Sequence, residues 1–219
     1  MTPAEQIALW ADRLRGISAM GLRFASNVHD ELAFERVQTL AMEMIAAATG
    51  EPWETIEPLR APVFSCPTPF CAGDAAIIDE QGRMLLIKRS DNGRWAMPGG
   101  ALEVGESPAE GVLREALEET GYHCEVVAPV GVFDSRFLVT QTRHQLYLFE
   151  FLCRPLPVEP EQPSHAMETL DQGWFGQDEL PTELDPGHRT RIAEAFRVWR
   201  GDGRVFFDGL PSEPDRLTL

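Results

Sequence analysis

GALEVGESPAEGVLREALEETGY, residues 100–122, decides the fold of this chain. Ser107 is a good helix N-cap, Pro108 suits the first helical position, and Glu110 stands where it completes a capping box with Ser107. Gly121 is a natural stop. The spacing therefore predicts a helix of about three turns from Pro108 to Thr120. Around its axis Ala109, Val112, Leu113, Ala116 and Leu117 form an apolar back. Glu115, Glu118 and Glu119 crowd the opposite face at i, i+3 and i+4. Like-charged pairs at this spacing cost a few tenths of a kcal/mol each, and a bound hard cation reverses the sign. Carboxylate oxygens suit Mg²⁺ or Mn²⁺ rather than zinc. A bare E-x-x-E-E would be an ordinary solvated acidic face, so the surroundings must decide.

Gly100, Glu106, Arg114, Glu115, Glu118, Glu119 and Gly121 satisfy G-x5-E-x7-R-E-U-x-E-E-x-G-U, where U is bulky and apolar. Seven fixed identities match by chance on the order of once in 10⁸ starting positions. Ala116 is small at the first U and Tyr122 fills the second. The chain here resembles the Nudix hydrolase superfamily, most strongly from Thr68 to Pro181, including Leu86-Ile87-Lys88-Arg89 and Trp95-Ala96-Met97-Pro98-Gly99-Gly100. The resemblance implies an αβα sandwich with a mixed sheet. It also implies a loop–helix–loop in which Glu115, Glu118, Glu119 and the Gly100 carbonyl hold metal against a diphosphate. Glu106 and Arg114 are the implied brace between loop and helix. Metal ions neutralise the diphosphate, and a carboxylate takes the proton of the attacking water. That base lies on the helix face, among Glu115, Glu118 and Glu119, or on a later loop. Glu168, six residues before Trp174-Phe175, is the later candidate, with a solvated loop glutamate as the alternative.

The rest of the chain divides in two. Residues 1–60 read as a helical N-terminal domain with its linker, and residues 61–219 as the hydrolase domain. Ile7, Trp10, Leu14 and Ile17 make one apolar stripe. After a break around Gly21 to Asn27, Asp30 caps a second helix with the stripe Phe34, Val37, Ala41, Met44 and Ala48, ended by Gly50. Residues 51–69 carry five prolines and read as linker. From Phe70 the pattern turns to strands: a hairpin over 74–87, a short strand at Arg94–Met97, and apolar runs at 124–133 and 145–153. Asp185-Pro186 then opens a helix carrying Ile192, Phe196 and Trp199. Together these give an α+β class, with the helical N-terminal domain placed before the sandwich.

Net charge is −16, which repels nucleic acid phosphates and makes bulk DNA or RNA binding an unfavourable function. No run approaches 18 apolar residues and no signal-peptide pattern opens the chain, so a cytoplasmic location is expected. The four cysteines make no CxxC, the five histidines no HxxxH, and no histidine is assigned as a ligand. Arg89, at a strand end before the catalytic loop, is a candidate phosphate contact beside Lys88, the only lysine. Arg136 and Phe137 are candidates for phosphate and base, while Phe133 belongs in the core.

The N-terminal run Ala8-Leu9-Trp10-Ala11-Asp12-Arg13-Leu14 also resembles the helical domain of Nudix enzymes acting on nucleoside diphosphates linked to another moiety, such as CDP-choline and ADP-ribose pyrophosphatases. That implies a homodimer and a small nucleotide-diphosphate substrate. The alternatives are a nucleoside triphosphate pyrophosphatase that clears damaged nucleotides and a non-catalytic nucleotide-sensing module. The three intact glutamates disfavour the last.

Overall fold

The computed structural model describes residues 2–66, 68–103, 105–138 and 145–209. The chain forms two compact units, Met1–Phe70 with Gln141–Leu146, and Cys71–Thr140 with Tyr147–Leu219.

The first unit is built on α1 (Pro3–Phe24) and α2 (Val28–Thr49). Thr2 and Glu5 close a capping box at the start of α1. Asn27, not Asp30, caps α2: its side chain accepts from the Asp30 N–H at 3.0 Å, and Gly50 ends the helix at φ 71°. Gly21 does not break α1. It lies inside the helix, where an added Cβ would stand 2.3 Å from the Phe34 ring, so its helix-propensity cost of about 1 kcal/mol is offset by close approach of the two helices.

The predicted apolar stripe of α1 does not form the core. Trp10 and Ile17 are 49% and 58% exposed, and Phe24 is 71% exposed. The buried face carries Ala11, Arg15, Ser18 and Ala19, small residues apart from Arg15. Short side chains let α2 approach, which the large ones cannot do.

The expected linker is also part of this core. A short helix, α3 (Trp53–Ile56), leads through a 3₁₀ turn (Glu57–Leu59) into a π turn (Arg60–Phe64). Ile56, Val63 and Phe64 pack with Ala11, Met42 and Ile45. Pro52 and Pro58 sit at the starts of these turns, where a missing N–H costs nothing. Gln38 donates to the Phe64 carbonyl at 3.0 Å, and Arg15 reaches the Cys66 carbonyl, so buried polar atoms tie the segment down.

The second unit holds the sheets. One has the order β4 (Gly99–Ala101), β1 (Phe70–Ile77), β6 (Leu146–Pro155), β5 (Cys124–Asp134), β8 (Phe206–Phe207). The other has β3 (Trp95–Ala96), β2 (Arg83–Arg89), β7 (Thr169–Gly176). β8 runs parallel to β5 and β4 antiparallel to β1, so the larger sheet is mixed. The turn from β1 to β2 closes on Gly82 at φ 75°.

The apolar back of α4 (Pro108–Thr120) drives the packing. Val112 and Ala116 are fully buried against Ala75 and Ile77 of β1, Leu85 of β2 and Cys153 of β6. The helix thus rests on strands of both sheets. α5 (Pro186–Trp199), capped by Asp185, buries Ile192 and Phe196 and packs on β5. The layers form an αβα sandwich. Phe133 is buried and stacks on Phe206 at 4.6 Å between centroids. Burial pushes the Cys124 thiol up to about 12.

Candidate active site and metal centre

The box helix forms as its caps require. The Ser107 N–H donates to Glu110 Oε2 at 2.8 Å, and the Glu110 N–H donates to Ser107 Oγ at 3.3 Å. Gly121 ends α4 at φ 76°.

Two glycines then bring backbone against the acidic face. The Gly99 N–H donates to Glu119 Oε2 at 2.7 Å. A Cβ on Gly99 would lie 2.3 Å from the Gly73 carbonyl oxygen, and one on Gly100 would lie 2.7 Å from Glu115 Oε1. Only glycine lets β4 lie this close to both its neighbouring strand and the helix.

Arg114 does more than brace. It forks onto Glu106 (Nη2 to Oε1 2.9 Å, Nε to Oε2 3.0 Å) and reaches the Ala101 carbonyl at 3.1 Å. Its Nη1 also donates to Glu115 Oε1 at 2.9 Å and Glu118 Oε2 at 3.0 Å. These acceptors hold the guanidinium charged, above its usual range. One positive charge therefore serves three carboxylates, with Glu119 beside them.

Glu119 is 7% exposed. Burial pushes its carboxyl up to about 8, against the pull of the Gly99 N–H. Glu115 is raised too, by burial, with Arg114 pulling it down. Carboxylates withdrawn from water and short of positive charge are a poor surface feature and a good cation site. The residues fit a divalent metal on that ground. Ligand atoms of Glu115, Glu118 and His165 lie within 4.8 Å of one another.

His165 is the residue that the sequence does not reveal. It stands 47 positions beyond Glu118 in the chain, with no spacing motif to connect them. The loop that carries it is tied to the C-terminal end of α4. The Glu161 N–H donates to the Gly121 carbonyl at 2.8 Å and the His165 N–H to the Glu118 carbonyl at 2.9 Å. A Cβ on Gly121 would lie 2.0 Å from the Glu161 carbonyl oxygen. Gly121→Ala combines a left-handed penalty with this clash. It is expected to cost about 2 kcal/mol or more, a fall of roughly 4–8 °C in melting temperature, measurable by calorimetry.

Glu168 is exposed on the same loop. The Ser90 N–H donates to its carbonyl at 2.9 Å, and Thr169, the next residue, pairs with Arg89. Arg89 and Glu168 thus share one end of the β2–β7 pair. The Arg89 guanidinium is forked by Asp91 (3.0 and 2.8 Å) and feels the charge of Glu119. Arg136 is held by Asp134 (Nη2 to Oδ2 2.6 Å) and lies over Phe137 at 5.5 Å. Phe137 is exposed. Both follow β5, three strands from β4 in the sheet order.

Behind the Gly99 strand lies a second polar group absent from the sequence reading. Asp74, the register partner of Gly99, is buried and bonded to Arg191 of α5. Glu150 of β6, also buried, stands 3.8 Å from the same Arg191 Nη1. His188 Nδ1 accepts from the Met97 N–H at 3.3 Å.

The NUDIX domain model matches residues 72–195. A model described as "UDP-X-like, N-terminal oligomerisation domain" matches residues 5–59. Bacillus subtilis YjhB, named as a candidate ADP-ribose pyrophosphatase, is 31% identical over 201 residues, covering 90% of this chain and 95% of YjhB. The structure of a UDP-X diphosphatase superposes with a TM-score of 0.55 at 28% identity, covering 93% of this chain and 99% of that one. An ADP-ribose pyrophosphatase from Streptococcus suis gives 0.53 at 29% identity, over 64% of this chain and all 100% of its own. The NUDIX model spans more than half of the chain and YjhB is over 30% identical across nearly the whole of both proteins: the chain belongs to the Nudix hydrolases.

Proposed function

We propose that the chain hydrolyses a nucleoside diphosphate linked to a second moiety, giving a nucleoside monophosphate and a phosphorylated product, with Mg²⁺ or Mn²⁺ at Glu115, Glu118, Glu119 and the Gly100 carbonyl. The observation that carries this is the buried Glu119 and half-buried Glu115 carboxylates set against Gly99 and Gly100, with Arg114 shared among Glu106, Glu115 and Glu118. A divalent ion bound there supplies Lewis-acid neutralisation of the diphosphate oxygens. The chain's own groups do the rest. Glu119 or Glu168 accepts the proton of the attacking water. Arg89, released from Asp91, neutralises a phosphate, and Arg136 with Phe137 engages the nucleotide. Domain limits of 1–60 and 61–219 are part of the same reading.

The substrate reading is supported by the helical first unit and by the relatives named for ADP-ribose and UDP-X. Incubating the protein with CDP-choline, ADP-ribose, a UDP-sugar, nucleoside triphosphates and 8-oxo-dGTP, with Mg²⁺ or Mn²⁺, tests it. A linked diphosphate should be cleaved with the highest kcat/KM. Preference for triphosphates would favour the second reading, a triphosphate pyrophosphatase. One relative supports that reading: a Bacillus subtilis protein, named as a candidate 8-oxo-dGTP diphosphatase, is 44% identical over 116 residues, covering 53% of this chain and 72% of its own.

The exposed Trp10, Ile17 and Phe24 support a homodimer formed through the first unit. Ile17→Glu with Phe24→Glu should give a monomer by light scattering, and an unchanged dimer would contradict this. No helix among the described residues is long and apolar enough to cross a membrane. The four cysteines are free thiols, which suits a reducing compartment, and the proposed location is the cytoplasm.

A further inference from the structure

We propose that His165 is a metal ligand. It joins Glu115 and Glu118 in a mixed oxygen–nitrogen site that holds a first-row transition ion such as Mn²⁺ or Co²⁺ more tightly than Mg²⁺. This rests on the reading that Glu115 and Glu118 hold the divalent metal.

The geometry is specific. One ligand atom from each of the three residues lies within 4.8 Å of the other two. His165 Nδ1 stands 3.8 Å from Glu118 Oε2, too far for a hydrogen bond and suited to a cation between them. The side chain is 43% exposed, so it can turn toward the carboxylates without moving the fold. Its backbone has no such freedom. The His165 N–H is bonded to the Glu118 carbonyl, its carbonyl accepts from the Glu168 N–H, and the Glu168 carbonyl accepts from the Ser90 N–H, each at 2.9 Å. The loop is thus anchored on α4 at the residue whose carboxylate it faces. The close fit of Glu161 over Gly121 fixes it further. The other histidine of this region, His123, is paired with Glu161 at 2.5 Å instead.

The donor chemistry gives the preference. Mg²⁺ takes oxygen ligands and keeps its waters, so a nearby imidazole adds little. Transition ions bind imidazole nitrogen well, and their affinities at N/O sites rise along the first row. Losing the imidazole should therefore weaken Mn²⁺ and Co²⁺ selectively. Substitutions of groups that merely support a ligand cost 10–100-fold, so loss of a direct ligand should cost at least about tenfold.

The test is metal binding by the full chain without substrate. Co²⁺ affinity is read from its visible absorption and Mg²⁺ affinity by competition, for wild type, His165→Ala and Glu118→Gln. In His165→Ala, Co²⁺ should bind at least about tenfold more weakly, with Mg²⁺ changed by no more than about twofold. An unchanged Co²⁺ affinity, or equal losses for both ions, would overturn the His165 assignment. Glu118→Gln should weaken both ions. If it weakens both while His165→Ala moves neither, only the histidine inference fails. If Glu118→Gln moves neither, the carboxylate reading fails with it. His165 lies on the surface, so its variant should melt within about 2 °C of wild type.

Discussion

Glu119→Gln should lower hydrolysis by at least about 10²-fold, the loss expected when a buried electrostatic group acting on the reaction is removed. Gln keeps the size of the side chain, and its carbonyl can still accept the Gly99 N–H that Glu119 Oε2 accepts at 2.7 Å. The local fold is therefore retained and the missing charge is isolated. Burial already disfavours that charge, so the metal-free variant should melt no lower than wild type. The loss should fall on kcat rather than on KM, since the group acts on the reacting diphosphate more than on the attached moiety. Steady-state kinetics with calorimetry on the same preparations decides it. Equal activity would remove Glu119 from the mechanism, and lost activity with a much lower melting temperature would make its role structural.

Arg191→Met should destabilise the second unit by about 3–5 kcal/mol, the range for breaking a buried ion pair from one side. Arg191 is 3% exposed, and its guanidinium lies against both Asp74 and Glu150. It also donates to the Gly187 carbonyl at 3.1 Å and contacts His188, whose ring is kept neutral by burial and by Arg191. Without it the buried Asp74 loses its ion-pair partner and Glu150 the charge that opposes its burial. The effect should reach activity, because Asp74 pairs with Gly99 and His188 holds the Met97 N–H, within three residues of Gly100.

The same cluster sets a pH dependence. Burial pushes Glu150 up to about 8, against Arg191, and among the described residues neither of its oxygens has a hydrogen-bond partner. A carboxyl raised on folding stabilises most below its unfolded value near 4.5, and that contribution is lost as pH rises through about 8. Across that window each pH unit costs the wild type up to about 1.4 kcal/mol. Glu150→Gln has no such cost, so its stability relative to wild type should grow from pH 5 to pH 9 in urea denaturation. A constant difference at both pH values would contradict the assignment.

These two sites differ in how far the sequence reveals them. α4 was readable because all its determinants are local: Ser107, Pro108 and Glu110 at one end, Gly121 at the other, and a 3.6-residue period between. The three glutamates follow from that helix alone. Arg191, Asp74 and Glu150 were not readable, since they come from a helix and two strands far apart in the chain and join only through packing. His165 was missed for the same reason.

In the first unit the spacing locates the apolar stripe of α1, but Trp10 and Ile17 are exposed while Ala11 and Ala19 are buried. Periodicity locates a stripe without saying what covers it. The segment 51–69 reads as linker because its prolines hide a period. Ile56, Val63 and Phe64 nevertheless supply half of the buried residues in that core.

Metal-dependent attack of water on a linked diphosphate at the Glu115–Glu118–Glu119 face is tested by ³¹P NMR of ADP-ribose or CDP-choline incubated with the protein in H₂¹⁸O, with Mg²⁺ and again with excess EDTA. The expected products are a nucleoside monophosphate and a phosphorylated partner, one of them carrying ¹⁸O on phosphorus, with no reaction in EDTA. Cleavage that proceeds unchanged in EDTA, or products without ¹⁸O on phosphorus, would contradict it.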